Sequence, residues 1–489
     1  MYVGIDLGTS AVKLLLVNEE GHVVQEVSRE YPLEMPQSSW AQQNPEDWWN
    51  ASMSGLKELI SGNTGSEIKG ISFSGQMHGL VILDEHDQVI RPAILWCDQR
   101  TEEECRMLNE EIGVEKLVAW VGNQALTGFT APKLLWLKKH EPENFARIAK
   151  IMLPKDYIQY RLTGVFASDV SDASGTLLLD VEHKAWSEEM MKVIGIQRGQ
   201  LPALYESYEK TGVLKPEIME ELGLHQEVSV AAGAGDQAAG ALGVGVVEEG
   251  VLSVALGTSG VVFLPCATYT ADPLARLHSF AHANGQYHQM GVILSAAGAL
   301  KWWMENVHKT KDYSLMIEEE ASSSKARNLY FLPYLIGERT PVNDASAKGC
   351  FIGLNLTHTR GDMTRAVLEG VTLALRDSLE IIKEMGQPIH EIRISGGGSA
   401  SAFWKQLTAD SFQLRVTAIE TSQGPAYGAA ILAKAAATKE DLDAISMKWI
   451  KTSDTYQPDE NKKEYYDHKY EVYHSLYPAM QGIFKKIEE

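Results

Sequence analysis

The sequence predicts an α/β protein made of two related halves, and three observations carry that expectation. Short apolar runs ending in glycine-rich turns alternate with stretches of helical period. The string Leu7-Gly8-Thr9-Ser10 returns half a chain later as Leu256-Gly257-Thr258-Ser259, each time between two apolar runs. A duplicated strand–turn–strand therefore opens each half. The chain has 489 residues, 44% hydrophobic and 22% charged, an ordinary globular composition long enough for two large cores.

Taken in order, Tyr2–Asp6 and Val12–Val17 read as strands around the Gly8–Ser10 turn. A further turn at Asn18–Gly21 and the extended run His22–Glu30 complete an antiparallel meander. Pro45 after Asn44 marks the first turn of a helix that holds Trp48 and Trp49. Ile68–Ser74, Val228–Ala232 and Ile392–Ser395 read as buried strands that run into Gly-rich turns, the last two then entering helices. Strands followed by helices predict mostly parallel sheets covered on both faces, with ligands at the carboxyl ends of the strands. Val251–Leu256 and Val261–Leu264 open the second half, and Met363–Met385 and Ser399–Phe412 are helical by period. Tyr466, Tyr470, Tyr473 and Tyr477 share one helix face, which is a packing stripe. No low-complexity linker separates the halves, so the boundary near Gly245 is expected to be a hinge dividing the chain into 1–245 and 246–489.

The net charge is −21, from 44 basic and 65 acidic side chains, with no basic block. That excludes nucleic acid or an anionic membrane as the main partner. It leaves room for phosphate ligands, which backbone amides and a metal ion can hold locally. Cys97, Cys105, Cys266 and Cys350 form neither a CxxC pair nor a zinc spacing, which fits reduced thiols in a cytoplasmic protein. The N-terminus starts on a strand-like run without a basic leader. Val228–Val247 is weakly charged but mostly Gly and Ala, with Asp236 and Gln237 at its middle, so it would insert poorly into a bilayer.

Four turns carry candidate chemistry. In Asp6-Leu7-Gly8-Thr9-Ser10 a carboxylate ends a buried strand beside small residues whose amides and hydroxyls suit phosphate oxygens, and Lys13 adds a nearby positive charge. A turn-capping Asp explains the same five residues equally well. In the second copy Ala255 replaces Asp6, so the paired turns suggest two phosphate grips on one nucleotide, with the metal on the first-half side. Gly233, Gly235 and Ala238 satisfy the GxGxx(G/A) spacing of a dinucleotide site. Asp236 inside that loop would repel a pyrophosphate and is better suited to receive a proton or bind a hydroxyl. Gly396-Gly397-Gly398-Ser399, between a strand and a helix, lets a flat or phosphorylated ligand lie against the backbone. In Ser74-Gly75-Gln76-Met77-His78-Gly79, Gln76 and His78 bring neutral donors and acceptors that suit sugar hydroxyls, though His78 also reads as a structural loop histidine. The GxxxxGK[ST], HExxH, GxSxG and protein-kinase motifs are absent.

These pieces together resemble the FGGY family of carbohydrate kinases, within the actin–hexokinase superfamily. Gly128 to His140, with Lys133 and Trp136, is similar to the family's first signature, and Gly349 to Glu369 to its second. Phe331 to Pro341 is also of family type. The resemblance implies two RNase H-like domains around a central cleft, and ATP-dependent phosphorylation of a sugar with Mg²⁺. Residues 1–245 would then carry the sugar, the metal and the first phosphate turn, and 246–489 the second phosphate turn and the adenosine side. Within the family, Gln76–Gly79, Leu95–Arg100, Leu153–Tyr157 and Ser168–Thr176 most resemble the members that act on D-xylulose.

By the same resemblance Gln76, Met77, His78, Trp96, Asp98, Asp236 and Gln237 are expected at the sugar, with Asp236 as catalytic base. Gly8, Thr9, Ser10, Lys13, Gly257, Thr258, Ser259, Gly298, Gly397 and Gly398 are expected at ATP, and Asp6 and Asp236 at the metal. Cys97, where some members carry Asn, bears on fine substrate preference. A kinase for ribulose, gluconate or glycerol is the alternative, followed by an actin-like ATPase. The lack of an extra substrate-binding domain after Gly398 counts against the latter. The resemblance leaves a homodimer open.

Overall fold

The computed structural model describes residues 1–61, 68–324, 327–420 and 423–488. Residues 2–30 make three antiparallel strands, β1 (Tyr2–Leu7), β2 (Ala11–Val17) and β3 (Val23–Glu30), joined by tight turns. Side chains alternate across a strand. Val3, Ile5 and Leu7 therefore face one core, and Tyr2, Gly4 and Asp6 face the other side of the sheet. After helix α1 (Pro45–Ser61), β4 (Gly70–Gly75) returns parallel to β1. β5 (Lys210–Val213), β6 (Ser229–Ala231) and the two-residue β7 (Ala234–Gly235) complete a seven-stranded sheet in the order β5-β6-β4-β1-β2-β3, with β7 beside β4.

The second half repeats the plan. Its strands are β8 (Val251–Leu256), β9 (Gly260–Cys266), β10 (His278–Ala281), β11 (Tyr287–Ile293), β12 (Glu391–Ser395), β13 (Arg415–Ile419) and β14 (Thr452–Tyr456). They form a sheet in the order β10-β11-β9-β8-β12-β13-β14. The run β11-β9-β8-β12-β13 matches β3-β2-β1-β4-β6 in order and direction, and the two Gly-Thr-Ser turns join equivalent pairs. The duplication expected from the repeated tetrapeptide is thus a duplication of sheet topology. The sheets are mixed, which corrects the expectation of mostly parallel pairing. Each opening meander is antiparallel because short turns bring the chain back beside itself before any helix intervenes, and β5–β6 and β13–β14 also pair antiparallel.

The helices that matter below are α2 (Thr130–His140), α3 (Pro154–Thr163), α4 (Val170–Ala173), α5 (Asp236–Leu242), α6 (Ala297–Trp302), α7 (Arg360–Glu384), α8 (Ala402–Phe412), α9 (Pro425–Thr438) and α10 (Lys463–Glu488). One face of the first sheet packs on α1 and α3 through Val3, Ile5, Leu14, Phe73, Trp48 and Ile158. The other is covered by α5 and by α9, which crosses back from the second half. Residues 228–247 are accordingly strand, turn and short helix, and no helix among the described residues is long and apolar enough to cross a membrane. On α10, Tyr466 and Tyr473 are buried in the second-half core with Tyr470 and Tyr477 at its margin, so the tyrosine stripe does pack.

The fit of α9 depends on small residues. A Cβ at Gly4 would overlap the Ala426 carbonyl, and one at Gly428 would overlap the carbonyl of Ala239 on α5. Helix α5 is therefore held backbone to backbone by an element of the other half. Gly428→Val, which cannot be accommodated without separating α5 from α9, is expected to cost about 1–3 kcal/mol, read as a lowered midpoint of thermal unfolding.

Candidate active site

Strand register builds the site. Asp6, Ser74 and Ala234 stand side by side on the parallel strands β1, β4 and β7, and Leu7, Gly75 and Gly235 form the next row. The three carboxyl ends therefore open at one edge, where the chain leaves as the Gly8–Ser10 turn, the Gln76–Gly79 loop and α5. Groups some 70 and 230 positions apart in the chain reach one place because each follows its strand by a residue or two.

Asp6 points to the sheet face covered by α5 and α9. Its Oδ1 accepts a 2.9 Å hydrogen bond from the Ser74 hydroxyl, and Lys13 is its register partner on β2. Burial pushes the Asp6 carboxyl up to about 6, against the pull of the Ser74 bond and the Lys13 charge. Asp236 is the first residue of α5, and its Oδ1 accepts from Gln237 Nε2 at 3.3 Å. Burial, reinforced by the charge of Asp6, pushes it up to about 7. Such a carboxyl can take a proton at neutral pH. Two oxygen donors without further carboxylate or imidazole company suit Mg²⁺, which binds through one or two carboxylates and otherwise keeps water and phosphate. Among the described residues no group of three or more His, Cys, Asp or Glu could hold a metal by itself.

The Gly8–Ser10 turn is braced from the first half. Thr9 Oγ1 donates to Gln76 Oε1 at 3.1 Å and accepts from Trp96 Nε1 at 2.9 Å. Gln76 Nε2 donates to Gln43 Oε1, which also accepts from the buried Trp48 indole, and Gln43 Nε2 donates back to Thr9 O. Gln76 thus holds the turn from beneath, while Trp96 stands more than a third exposed at the rim. Asp98, expected at the sugar, is already partnered within the protein. Its carboxylate is fully buried and takes hydrogen bonds from Arg100 and the Ala41 amide, with the Arg100 guanidinium 4.0 Å from the Trp40 ring centroid. Lys13 Nζ donates to Gln423 Oε1 at 3.0 Å and sits 3.2 Å from Glu26, so its charge is shared across the two halves.

Met77 and His78 lie next along the same edge. Met77 packs against Gly235, one residue before Asp236, where a Cβ would come within 2.9 Å of its sulfur. His78 has φ 70°, sparsely populated for a side-chain residue. Its carbonyl is held by Thr130 Oγ1 at 3.0 Å and Lys133 Nζ at 2.8 Å, both from α2. His78 Nδ1 lies 2.6 Å from the Gly175 carbonyl. A carbonyl only accepts, so Nδ1 carries the proton and Nε2 is left as an acceptor. Burial holds the imidazole well below its usual range, overriding the Gly175 bond.

In the second half Gly257, Thr258, Gly298, Gly397 and Gly398 line one cavity of about 760 Å³, together with Tyr313, Glu318, Ser401 and Trp404. The Gly257 and Thr258 carbonyls accept from the Ala297 and Gly298 amides at the start of α6. A Cβ at Gly298 would come 2.8 Å from the Thr258 carbonyl, so the glycine permits that approach. Thr258 and Ser259 are exposed at the tip of their turn.

Two buried clusters fall in runs that the sequence marked only as family-like, with no role given to their lysines. Lys133 is buried, donates to the His78 and Gly128 carbonyls and is pushed down to about 7 by burial. Lys155 sits fully buried among Asp156, Asp169 and Asp172. Burial opposes its charge and the three carboxylates restore it. The available signal was a lysine and three aspartates in runs otherwise suited to burial, Leu153–Tyr157 and Ser168–Thr176.

Comparison with known proteins gives consistent matches. Residues 1–243 match the N-terminal domain, and residues 252–437 the C-terminal domain, of the FGGY family of carbohydrate kinases. The chain is 41% identical over 482 residues to the xylulose kinase of Escherichia coli, covering 98% of this chain and 99% of that one. Among solved structures, a "xyloylose kinase" from Brucella ovis superposes with a TM-score of 0.94 at 41% identity, covering 99% of both chains. A gluconate kinase from Lactobacillus acidophilus superposes equally well, TM-score 0.94, at 27% identity and the same coverage.

The raised carboxyl of Asp236 has a consequence for stability. Between the ordinary carboxyl value, about 3.9, and about 7 the unfolded chain has released a proton that the folded chain keeps. Stability therefore falls as pH rises through that window. In metal-free buffer Asp236→Asn is expected to melt higher than the parent at pH 8, with the gap closing below about pH 4, as followed by calorimetry.

Proposed function

The chain belongs to the FGGY family of carbohydrate kinases, and from that premise we propose that it is a xylulokinase, transferring the γ-phosphoryl group of ATP to the 5-hydroxyl of D-xylulose. One observation carries this reading. The register of β1, β4 and β7 gathers Asp6, His78 and Asp236 at a single edge. D-xylulose is supported as the ketose by the 41% identity to a xylulose kinase over nearly the whole length.

In this reading Asp236 is the general base. As the 5-oxygen of the sugar attacks the γ-phosphorus, the new O–P bond forms and the bond to the β,γ-bridging oxygen breaks. The hydroxyl proton passes to the Asp236 carboxylate, and ADP leaves. A sugar hydroxyl is a weak nucleophile at neutral pH, and a carboxyl raised to about 7 matches the task. Neutral His78 accepts a hydrogen bond from a sugar hydroxyl at Nε2, Met77 packs against the open-chain ketose, whose 5-hydroxyl is free only in that form, and Gln237 and Trp96 border it. Gln76 acts from below by fixing Thr9.

The turns Gly8–Ser10 and Gly257–Ser259 hold phosphates from opposite halves, with Lys13 adding charge. Gly298, Gly397 and Gly398 let the nucleotide lie against backbone in the second-half cavity. Asp6 and Asp236 would hold Mg²⁺, which when bound offsets charge on the transferring phosphoryl oxygens. Residues 1–245 thus carry sugar and metal, and residues 246–489 the adenosine side. Approach of the halves excludes water and suppresses futile hydrolysis.

Two expectations follow. In a coupled ADP-formation assay D-xylulose should surpass ribulose, gluconate and glycerol in kcat/KM. A preference for gluconate would move the assignment to the kinase represented by the Lactobacillus acidophilus neighbour. Asp236→Asn should lower kcat by about 10²–10⁴-fold with ATP and sugar KM little changed, whereas His78→Ala should raise the sugar KM and leave that of ATP in place.

A further inference from the structure

One buried segment touches both groups on which the proposed chemistry depends. Asp169 caps α4 and lies 2.8 Å from Lys155 Nζ through Oδ1, while its Oδ2 accepts from the Ser171 amide and hydroxyl and from Ser207 Oγ. Ser171 Oγ in turn accepts from the Gly235 amide at 3.2 Å, which belongs to the Ala234–Gly235 peptide one residue ahead of Asp236. Four residues beyond Ser171, the Gly175 carbonyl faces His78 Nδ1 at 2.6 Å. Between them, Ser174 Oγ accepts the Ala281 amide of β10 at 3.0 Å, a contact with the other half.

The segment before Asp236 is gripped elsewhere too. Lys155 Nζ lies 3.5 Å from the Ala232 carbonyl, and the Gly233 amide donates to Ser207 O at 3.1 Å. Asp169, Ser171, Ser174 and Lys155 are all essentially inaccessible to solvent. Lys155 spans Asp156 at 2.6 Å, Asp169 at 2.8 Å and Asp172 at 3.7 Å. A buried charge cluster of this kind adds little net stability but fixes geometry when its hydrogen bonds are made.

We infer that Asp169–Gly175, anchored on Lys155, is the positioning element of the site. Its Ser171 hydroxyl fixes the Ala234–Gly235 peptide, and so the backbone one residue ahead of Asp236, and its Gly175 carbonyl selects the His78 tautomer that leaves Nε2 free for a sugar hydroxyl. Ser171 and Gly175 are positioning residues rather than catalytic ones, because each acts through a group that meets the substrate. The inference rests on the assignment of Asp236 as base and His78 as sugar ligand. It adds that a single turn aligns both, and that Ser174 registers the turn against the second half.

The two ends of the segment predict opposite kinetic signatures. Ser171→Ala removes the acceptor of the Gly235 amide, and should lower kcat about tenfold while both KM values stay within about twofold. Ser171→Thr, which keeps the hydroxyl, should recover most of the loss. Gly175→Ala places a Cβ against the His78 ring and Met77. It should raise the D-xylulose KM about tenfold with the ATP KM unchanged. A merely structural role would shift the melting temperature of both variants without splitting kcat from KM, and that outcome overturns the inference. So does a Ser171→Ala enzyme with parental kcat while Asp236→Asn is inactive, a result that leaves the base assignment standing. An active Asp236→Asn enzyme would instead remove the base, and with it the role assigned to Ser171.

Discussion

Two carboxylates, Asp6 and Asp236, share a half-buried strand edge, and the rest of the site answers the cost of keeping them there. Each is pushed up chiefly by burial, and the charge of Asp6 raises Asp236 further. Left alone, such a pair favours holding a proton over carrying two charges. The site meets that tension with one hydroxyl donor, Ser74, and one register-matched cation, Lys13. Neither bonds to Asp236, whose carboxyl is held by the Gln237 side chain at 3.3 Å and by the Gln237 backbone. An under-satisfied carboxyl at the mouth of a cleft is suited to exchange a proton with a ligand and to share a divalent ion with phosphate oxygens.

The surrounding groups divide by charge. Those proposed to meet the sugar, namely His78, Met77, Gln237 and Trp96, are neutral. The strong charges are locked behind them, Arg100 with Asp98 under Trp40, and Lys155 among three aspartates. Buried pairs of this sort hold backbone in place at little net gain in stability. The second half contributes differently, through glycines at a cavity and through α9, whose small residues let it bear directly on α5. The helix that begins with Asp236 is thereby packed against both halves, a placement that lets their relative position bear on the base.

Much of this was legible in the sequence. The repeated Leu-Gly-Thr-Ser string marked equivalent hairpins in two sheets of matching order, and Asp236 inside a glycine loop argued against a dinucleotide site. Other features depend on tertiary register. The two-residue β7 is too short to leave a periodic signal, yet it aligns Ala234 with Ser74 and so delivers Asp236 to the edge. Asp98 was expected at the sugar through the family resemblance of Leu95–Arg100, and the sequence carries no sign of what holds its carboxylate. The partner that occupies it, Arg100, is two residues away, and the Trp40 ring that completes its pocket comes from a distant loop. Parallel pairing was overestimated because strand–helix alternation says nothing about the edge strands. The Lys155 cluster gathers residues from α3, α4 and the stretch between them, an association that residue spacing does not encode.

The central claim is that Asp236 meets the reacting hydroxyl of the sugar. The most direct measurement is a crystal structure of the chain with D-xylulose and a non-hydrolysable ATP analogue. The account predicts an Asp236 carboxylate oxygen about 2.6–3.2 Å from the sugar 5-oxygen, with His78 Nε2 bonded to another hydroxyl of the same molecule. A sugar bound with Asp236 turned away, and a different side chain at its 5-oxygen, would contradict it.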